Sequence, residues 1–375
     1  MMRCILPNQT IGIIGGGQLG KMLAAAANRM GYLTAVYDPS LHAPAFSIAH
    51  QYTIGHFDDY EALSQFVARC DVVTYEFENI NADLVKRLNE QYNNIPQGHF
   101  PLWMTQNRMR EKEHIVNAGL PVPPIVMVDS LGDEWLGLPE KLGFPFVVKT
   151  SEGGYDGKGQ AVVRSREDLP NKLFALMDSS VIAEAFVDYD FEASIIGVRG
   201  QDGEFVTFPV ARNEHINNIL HCSIASMDES EDLTERLHTM LKNLMEKYDV
   251  VGILAMEVFV KGDEIYVNEL APRPHNSGHY TIEGCTTSQF EQAIRAVCGL
   301  PLGCTTLRQT TIMYNLLGQH IEPLMTYLPH LSRNGHVHLY GKKENKFNRK
   351  VGHVTFTCDQ QTQEFSHAVF THQEE

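Results

Sequence analysis

Several things are scarce in this chain. Its 7 cysteines, at positions 4, 70, 222, 285, 298, 304 and 358, are odd in number and nowhere form a C-x-x-C pair. Paired-thiolate zinc and redox signatures are therefore missing, and the pattern reads as reduced thiols in a cytoplasm. His275, His279 and Cys285 fall near one another, but without C-x-x-C or H-E-x-x-H spacing they are not read as zinc ligands. No run approaches the ~20 apolar residues of a membrane span. The opening "MMRCILPNQTIGII" has one basic residue and a brief apolar stretch, so it is not read as a secretory signal. Positive charge is also short: 30 Lys and Arg stand against 46 Asp and Glu, a formal charge of −16. A nucleic-acid partner needs a basic footprint and is not expected. An anionic small molecule stays open, because a few local cations can dominate one pocket.

With 375 residues, the chain has room for two or three domains and a sizeable core. Its first hundred residues alternate strand and helix. "TIGII" reads as a buried strand, Gln18 to Met30 as a helix, "LTAVYD" as a strand, "DDYEALSQFVARC" as an amphipathic helix and "DVVTYEFEN" as a strand. That alternation implies a doubly wound parallel sheet with its ligand crevice at the strand carboxyl ends. Gly15, Gly17 and Gly20 spell G-x-G-x-x-G, and Asp38 closes the next strand, which is the spelling of a dinucleotide turn. A helix from Arg108 to Ala118 and the connector "LPVPPIVMV" lead into a different pattern. There Val-, Ile- and Phe-rich strands pair as hairpins ("QAVVRS", "VIAEAF", "FEASIIGVRG", "EFVTFPVARN", "AMEVFV", "IYVNEL") around helices such as "DLTERLHTMLKNLMEKY". The reading is α/β followed by α+β.

Four constellations carry chemistry. In "LAMEVFVKGDEIYVNEL" two strands join at Lys-Gly-Asp; with the turn near Asp263, Glu257 falls opposite Glu269, with Asn268 alongside. Phe259 and Val267 are expected on the same face. Facing carboxylates repel unless a cation sits between them, and Mg²⁺ takes one or two carboxylates plus nucleotide phosphates. Solvated acids on an edge hairpin are the alternative. Lys149 ends the strand "FPFVVK", and "TSEGGYDGKGQ" after it suits a glycine flap over phosphates rather than a P-loop; a plain surface hairpin is the alternative. "APRPHNSGH" gathers Arg273, His275, Asn276 and Ser277 just past Glu269, as a substrate loop or a merely structural one. The run "YGKKENKFNRK", with Lys342, Lys343, Lys346, Arg349 and Lys350, is either a phosphate site or a solvated loop.

Together these words resemble the ATP-grasp superfamily and, within it, the N5-carboxyaminoimidazole ribonucleotide synthetase family. "IGIIGGGQLGKML", "TYEFENI", "GGYDGKGQ", "NELAPRPHNSGHYT", "SQFEQ" and "NRKVGHV" carry the resemblance in order along nearly the whole chain. It implies a Rossmann-like domain at 1–104, an ATP-grasp domain at 105–303 and a small C-terminal β-rich domain at 304–375. It also implies ATP and Mg²⁺ (Mn²⁺ as an alternative), bicarbonate and 5-aminoimidazole ribonucleotide as substrates, and a cytoplasmic homodimer. Carried over by position, Arg108 and Lys149 would contact ATP phosphates under a flap of Gly154, Tyr155, Asp156, Gly157, Lys158, Gly159 and Gln160. Glu184, Ala185, Phe186 and Val187 would form the adenine hinge through backbone groups, Glu192 and His215 would meet the rest of the nucleotide, and Asn268 would sit beside it. Glu257 and Glu269 would hold Mg²⁺. Asp156, Lys158, Arg273, His275 and Asn276 would act at the reacting groups. Glu76, Tyr155, Arg273, His275 and Asn276 would bind substrate, and Lys342 and Arg349 its 5′-phosphate. The family's usual Pro-Gly before the last basic residue is Phe347-Asn348 here, and Lys158 stands where some members have Arg.

Rival readings are another grasp ligase (a formate-using glycinamide ribonucleotide transformylase or a biotin carboxylase), an NAD-dependent oxidoreductase built on Gly15–Gly20, and an inactive nucleotide sensor. On the favoured reading the N-terminal glycine turn offers Gly17, Gln18 and Leu19 to the substrate phosphate, and Asp38 merely ends a strand.

Overall fold

The computed structural model describes residues 4–128, 135, 137–153, 159–169, 176, 180–357 and 362–370. A parallel sheet opens the chain, in the order β3-β2-β1-β4. Its strands are β1 (Thr10–Ile14), β2 (Leu33–Asp38), β3 (Gln51–Ile54) and β4 (Val72–Tyr75). Ile11, Ile13 and Ile14 are fully buried, as expected of a strand covered on both faces. Two of the flanking helices start at side-chain caps. Asp59 accepts the Ala62 amide before Tyr60–Val67, and Asn81 accepts those of Asp83 and Leu84 before Ala82–Tyr92. β3 is short and mostly exposed, which hid it from pattern reading. β4 stops at Tyr75, short of the "DVVTYEFEN" run, because the chain turns there to bring Glu76 under the glycines.

A small antiparallel sheet follows, ordered β5-β8-β6-β7, from β5 (Ile125–Val128), β6 (Phe146–Thr150), β7 (Gln160–Val163) and β8 (Val181–Ala185). Its core joins Phe146, Val148, Val163 and Val181 to Trp135 and Leu138.

The third sheet is the largest. It contains β9 (Phe191–Arg199), β10 (Phe205–Thr207), β11 (Ala211–Ile216), β12 (Ile219–Ala225), β13 (Gly252–Lys261) and β14 (Glu264–Ala271), then β15 (Thr311–Leu317), β16 (Gly335–Leu339) and β17 (Lys350–Phe356). The order is β14-β13-β9-β11-β12-β15-β17-β16, with β10 on β9. "EFVTFPVARN" is two strands, β10 and β11, split around Pro209, which cannot donate to a ladder. The helix Glu231–Lys247 starts at a Ser230 cap and lays Leu233, Leu237, Leu241 and Leu244 on Ile195, Leu254 and Met256. Truncating one such leucine to Ala costs on the order of 2–5 kcal/mol.

The described residues of 304–375 do not form a sheet of their own. Ile312 on β15 pairs with Ile224 on β12, so β15, β17 and β16 extend the large sheet. They keep a separate small core of Leu316, Leu324, Val354, Phe356, Phe365 and Val369. The helix Gln289–Val297 packs Phe290, Ile294 and Val297 into one cluster with Leu23 and Ala27 of the helix Gln18–Arg29, tying the first sheet to the third.

Candidate active site

The β13–β14 hairpin sets Glu257 opposite Glu269, as the Lys-Gly-Asp turn predicts. One residue further on the register slips. Val258 faces Val267, which leaves Asn268 as the extra residue of a β-bulge. The bulge corrects one expectation: Val267 does not share the carboxylate face. Val258 and Val267 go into the core, whereas Phe259 stays with Glu257 and stacks on Tyr189 at 4.8 Å. Bulging also lets Asn268 and Glu269 serve one side of the strand.

His275 joins the two glutamates, with donor atoms of all three within 4.8 Å of one another. Its Nε2 lies 3.5 Å from Glu257, its Nδ1 lies 2.8 Å from the Ser277 hydroxyl, and its amide donates to Gln289. Burial, helped by the Arg273 charge, keeps this imidazole well below its ordinary pKa and so neutral. Burial together with the Glu269 charge pushes the Glu257 carboxyl up to about 8, the mark of two carboxylates facing each other without compensation. Opposed hard oxygens with an amide oxygen beside them are a donor set that suits a divalent cation such as Mg²⁺. His279 and Cys285 are not part of this cluster.

Lys149, at the end of β6, reaches from the small sheet to the large one. Its ammonium donates to Glu184 at 2.6 Å and lies 3.5 Å from Asn268 Oδ1. Glu184 is buried on β8 and also takes Lys112 at 3.4 Å. Burial opposes its charge, but the two lysines outweigh this and hold its pKa near 2. Its carboxylate therefore faces the lysines, leaving only backbone for a hinge. There the Ala185 and Phe186 amides already donate to the carbonyls of Pro124 and Pro145. A small pocket on the large sheet is lined by Glu192, Asn213, Glu257, Phe259 and Asn268, from β9, β11, β13 and β14. Glu192 bonds His215; burial works against the charge on each, yet the pairing lowers the Glu192 pKa and raises that of His215. Arg108 donates its amide to Ser151 and its guanidinium to Thr150, at the end of β6.

Past β14, Arg273 pairs with Glu78 at 2.8 Å, which brings the region just past β4 against the loop that carries His275 and Asn276. Asn276 is half-buried, and among the described residues neither its side-chain nitrogen nor its oxygen has a hydrogen-bond partner. A buried amide left unpaired in this way calls for a partner such as a ligand or a water.

Three family models cover the chain: the ribonucleotide synthetase preATP-grasp domain at residues 8–106, the ATP-grasp domain at 113–290 and the phosphoribosylaminoimidazole carboxylase C-terminal domain at 311–364. The N5-carboxyaminoimidazole ribonucleotide synthase of Bacillus subtilis (strain 168) is 44% identical over 353 residues, 94% of this chain and 92% of that protein. The chain belongs to the N5-carboxyaminoimidazole ribonucleotide synthase family. Among solved structures, the Staphylococcus aureus synthetase complexed with ADP superimposes with a TM-score of 0.93 at 39% identity, covering 98% and 99% of the two chains. The Aspergillus clavatus synthase in complex with ADP and 5-aminoimidazole ribonucleotide gives 0.88 at 29%, with 98% of each chain covered.

Within this family frame the glycine turn needs correction. Gly17's amide is not open to a phosphate: it donates to Glu76 at 2.7 Å. Asp38 does more than end a strand, since it accepts the Gly16 and Ser40 amides, both at 2.7 Å. Two carboxylates of the chain thus take the Gly16 and Gly17 amides at this helix N-terminus. Gly15 has φ +103°, and a Cβ there would lie 2.8 Å from Glu76 Oε1, so only glycine lets the carboxylate in. The basic run nevertheless comes to the turn: Lys21 donates to the Tyr340 carbonyl at 3.0 Å, and Lys343 meets His42 at 3.4 Å. Gly154, Tyr155, Asp156, Gly157 and Lys158 lie outside the described residues, while Gly159 and Gln160 enter β7 opposite Thr150 and Lys149.

Sequence reading missed Glu111 and Lys112. Both are buried on the helix Arg108–Asn117. Lys112 donates to the carbonyls of Val267 (3.2 Å) and Asn268 (2.7 Å), and Glu111 accepts the Leu270 amide at 2.6 Å. The two grip the bulged strand on either side of Glu269. Their signal was spacing: they share a helical stripe with buried Ile115.

Proposed function

We infer that this chain converts ATP, bicarbonate and 5-aminoimidazole ribonucleotide into N5-carboxyaminoimidazole ribonucleotide, ADP and phosphate by way of carboxyphosphate. The observation that carries the reading is the Glu257–Glu269 pair, with Lys149 reaching it from the small sheet and Arg273, His275 and Asn276 beside it. ATP fits between the sheets, with Lys149 and Arg108 towards its phosphates and Glu192 and His215 towards its sugar. Glu257 and Glu269 would hold Mg²⁺, or Mn²⁺ in its place, which supplies positive charge to the transferring phosphoryl group.

A bicarbonate oxygen attacks the γ-phosphorus, and the bond to the ADP oxygen breaks. The exocyclic amine then attacks the carboxyl carbon, phosphate leaves, and the amine loses one proton. Arg273, fully charged beside Glu78, orients the bicarbonate as a planar fork. Asn276 supplies the orphaned amide, and neutral His275 positions the amine or takes its proton. Asp156 and Lys158 of the flap are assigned to the same centre, with Tyr155 against the substrate and Glu76 near its ring. Carboxyphosphate hydrolyses readily, so flap closure must exclude water. The substrate's 5′-phosphate is assigned to Lys342 and Arg349 on one side and the Gln18 and Leu19 amides on the other.

Cys4, Cys70, Cys222, Cys285, Cys298 and Cys304 are free thiols, which supports a cytoplasmic place. Among the described residues no helix is long and apolar enough to cross a membrane. A homodimer is the proposed assembly, tested by light scattering. The function itself is tested by ADP release with 5-aminoimidazole ribonucleotide, with and without bicarbonate. We expect ADP only when both are present and none from Glu269→Gln; wild-type turnover in that variant would sink the metal assignment.

A further inference from the structure

A tight turn closes the basic loop just before Arg349. The Arg349 amide donates to the Lys346 carbonyl at 3.1 Å, and Asn348 at the third position has φ +58°. Phe347, at the second position, is not left-handed, so the pattern is that of a type II turn. Such a turn favours Pro second and Gly third, because one presets φ and the other tolerates the left-handed well. Phe347 does neither and stands 75% exposed, and Asn348 tolerates that well less readily than Gly. The turn's own residues therefore hold it weakly.

Gln319 holds it from outside. The Asn348 amide donates to Gln319 Oε1 at 2.8 Å, and Gln319 Nε2 donates back to Asn348 Oδ1 at 2.9 Å. Next to it, the Gly318 amide donates to the Arg349 carbonyl at 2.9 Å. A Cβ on Gly318 would lie 2.1 Å from the Lys346 carbonyl oxygen, so the backbone at 318 seats directly against the turn. Both residues follow the end of β15, which makes the large sheet the reference frame for the loop.

We propose that Gln319 is a positioning residue for substrate binding: it clamps the Lys346–Arg349 turn so that Arg349 is presented to the 5′-phosphate of the ribonucleotide. The inference rests on the reading of Arg349 as a phosphate contact. Without the clamp the turn spends only part of its time in the competent shape, and apparent affinity falls by that fraction. Chemistry after binding is untouched, so KM moves and kcat does not.

The test compares Gln319→Ala in the wild-type chain and in a Phe347→Pro/Asn348→Gly chain, whose turn needs no clamp, with Arg349→Ala alongside. Gln319→Ala should raise KM for 5-aminoimidazole ribonucleotide about five- to tenfold, the worth of one or two hydrogen bonds. Its kcat and its KM for ATP should stay within about twofold of wild type, and in the Pro-Gly chain the KM penalty should shrink below about twofold. An unchanged KM in Gln319→Ala while Arg349→Ala raises it overturns the clamp alone. The same penalty in the Pro-Gly chain overturns it as well. If Arg349→Ala leaves KM unchanged, the phosphate reading fails and the clamp's purpose fails with it.

Discussion

The Lys112 ammonium donates to the main-chain carbonyl of Asn268 at 2.7 Å, across 156 positions of sequence, while lying 3.4 Å from the Glu184 carboxylate. One buried cation thus joins β8 to the bulge that precedes Glu269. Removing the cation leaves the Val267 and Asn268 carbonyls without this donor and Glu184 with Lys149 alone, at a cost of about 1–3 kcal/mol for each buried group left unsatisfied. Lys112→Met should therefore lower the thermal midpoint by several degrees. Adding Glu184→Leu should lower it by clearly less than the sum of the two single effects, because both remove one network. Additive losses in differential scanning fluorimetry would show that the two residues act independently.

Asp38 and Glu76 occupy the amides that a dinucleotide's pyrophosphate would need. We expect no enhancement of NADH fluorescence on titration with the protein, at concentrations where nucleotide protects it thermally. Saturable NADH binding at the glycine turn would contradict the occupation of the Gly16 and Gly17 amides.

Burial raises the Glu76 carboxyl to about 7 in the folded chain, against 4.5 for the free group. Between those values the folded state keeps a proton that the unfolded chain has lost. This group's contribution to stability is therefore present below about pH 4.5 and is lost as pH rises through about 7. Glu76→Gln lacks this loss, so it should gain about 3 kcal/mol relative to wild type between pH 4.5 and 8. His275, His279 and His353, held neutral by burial, lose stability as pH falls through the ordinary histidine range; that trend has the opposite sign and is shared by both proteins. A stability difference that stays flat with pH in denaturant titrations would refute the shift.

The parts legible in sequence were those written locally. Continuous apolar runs marked β1, β2 and β4, and the Lys-Gly-Asp turn fixed the Glu257–Glu269 register. The bulge at Asn268 was not legible, since an extra residue leaves no mark on composition; that is why Val267 was placed on the wrong face. The filling of the glycine turn was equally hidden, because Asp38 and Glu76 arrive from the ends of two other strands. The pairing of β15 with β12 joins residues about 90 positions apart, so "TTIMYNLLG" alone could not say which sheet it would join. Nothing near Glu111 and Lys112 in the sequence marks the strand they grip, which lies 155 to 159 positions away.

The central claim is that bicarbonate is activated by phosphoryl transfer before the amine attacks it. It is tested most directly with ¹⁸O-labelled bicarbonate in a single turnover with ATP and 5-aminoimidazole ribonucleotide, followed by mass analysis of the inorganic phosphate. Attack by a bicarbonate oxygen on the γ-phosphorus predicts one ¹⁸O in each phosphate released. Phosphate carrying no label, at full ADP yield, would contradict the account.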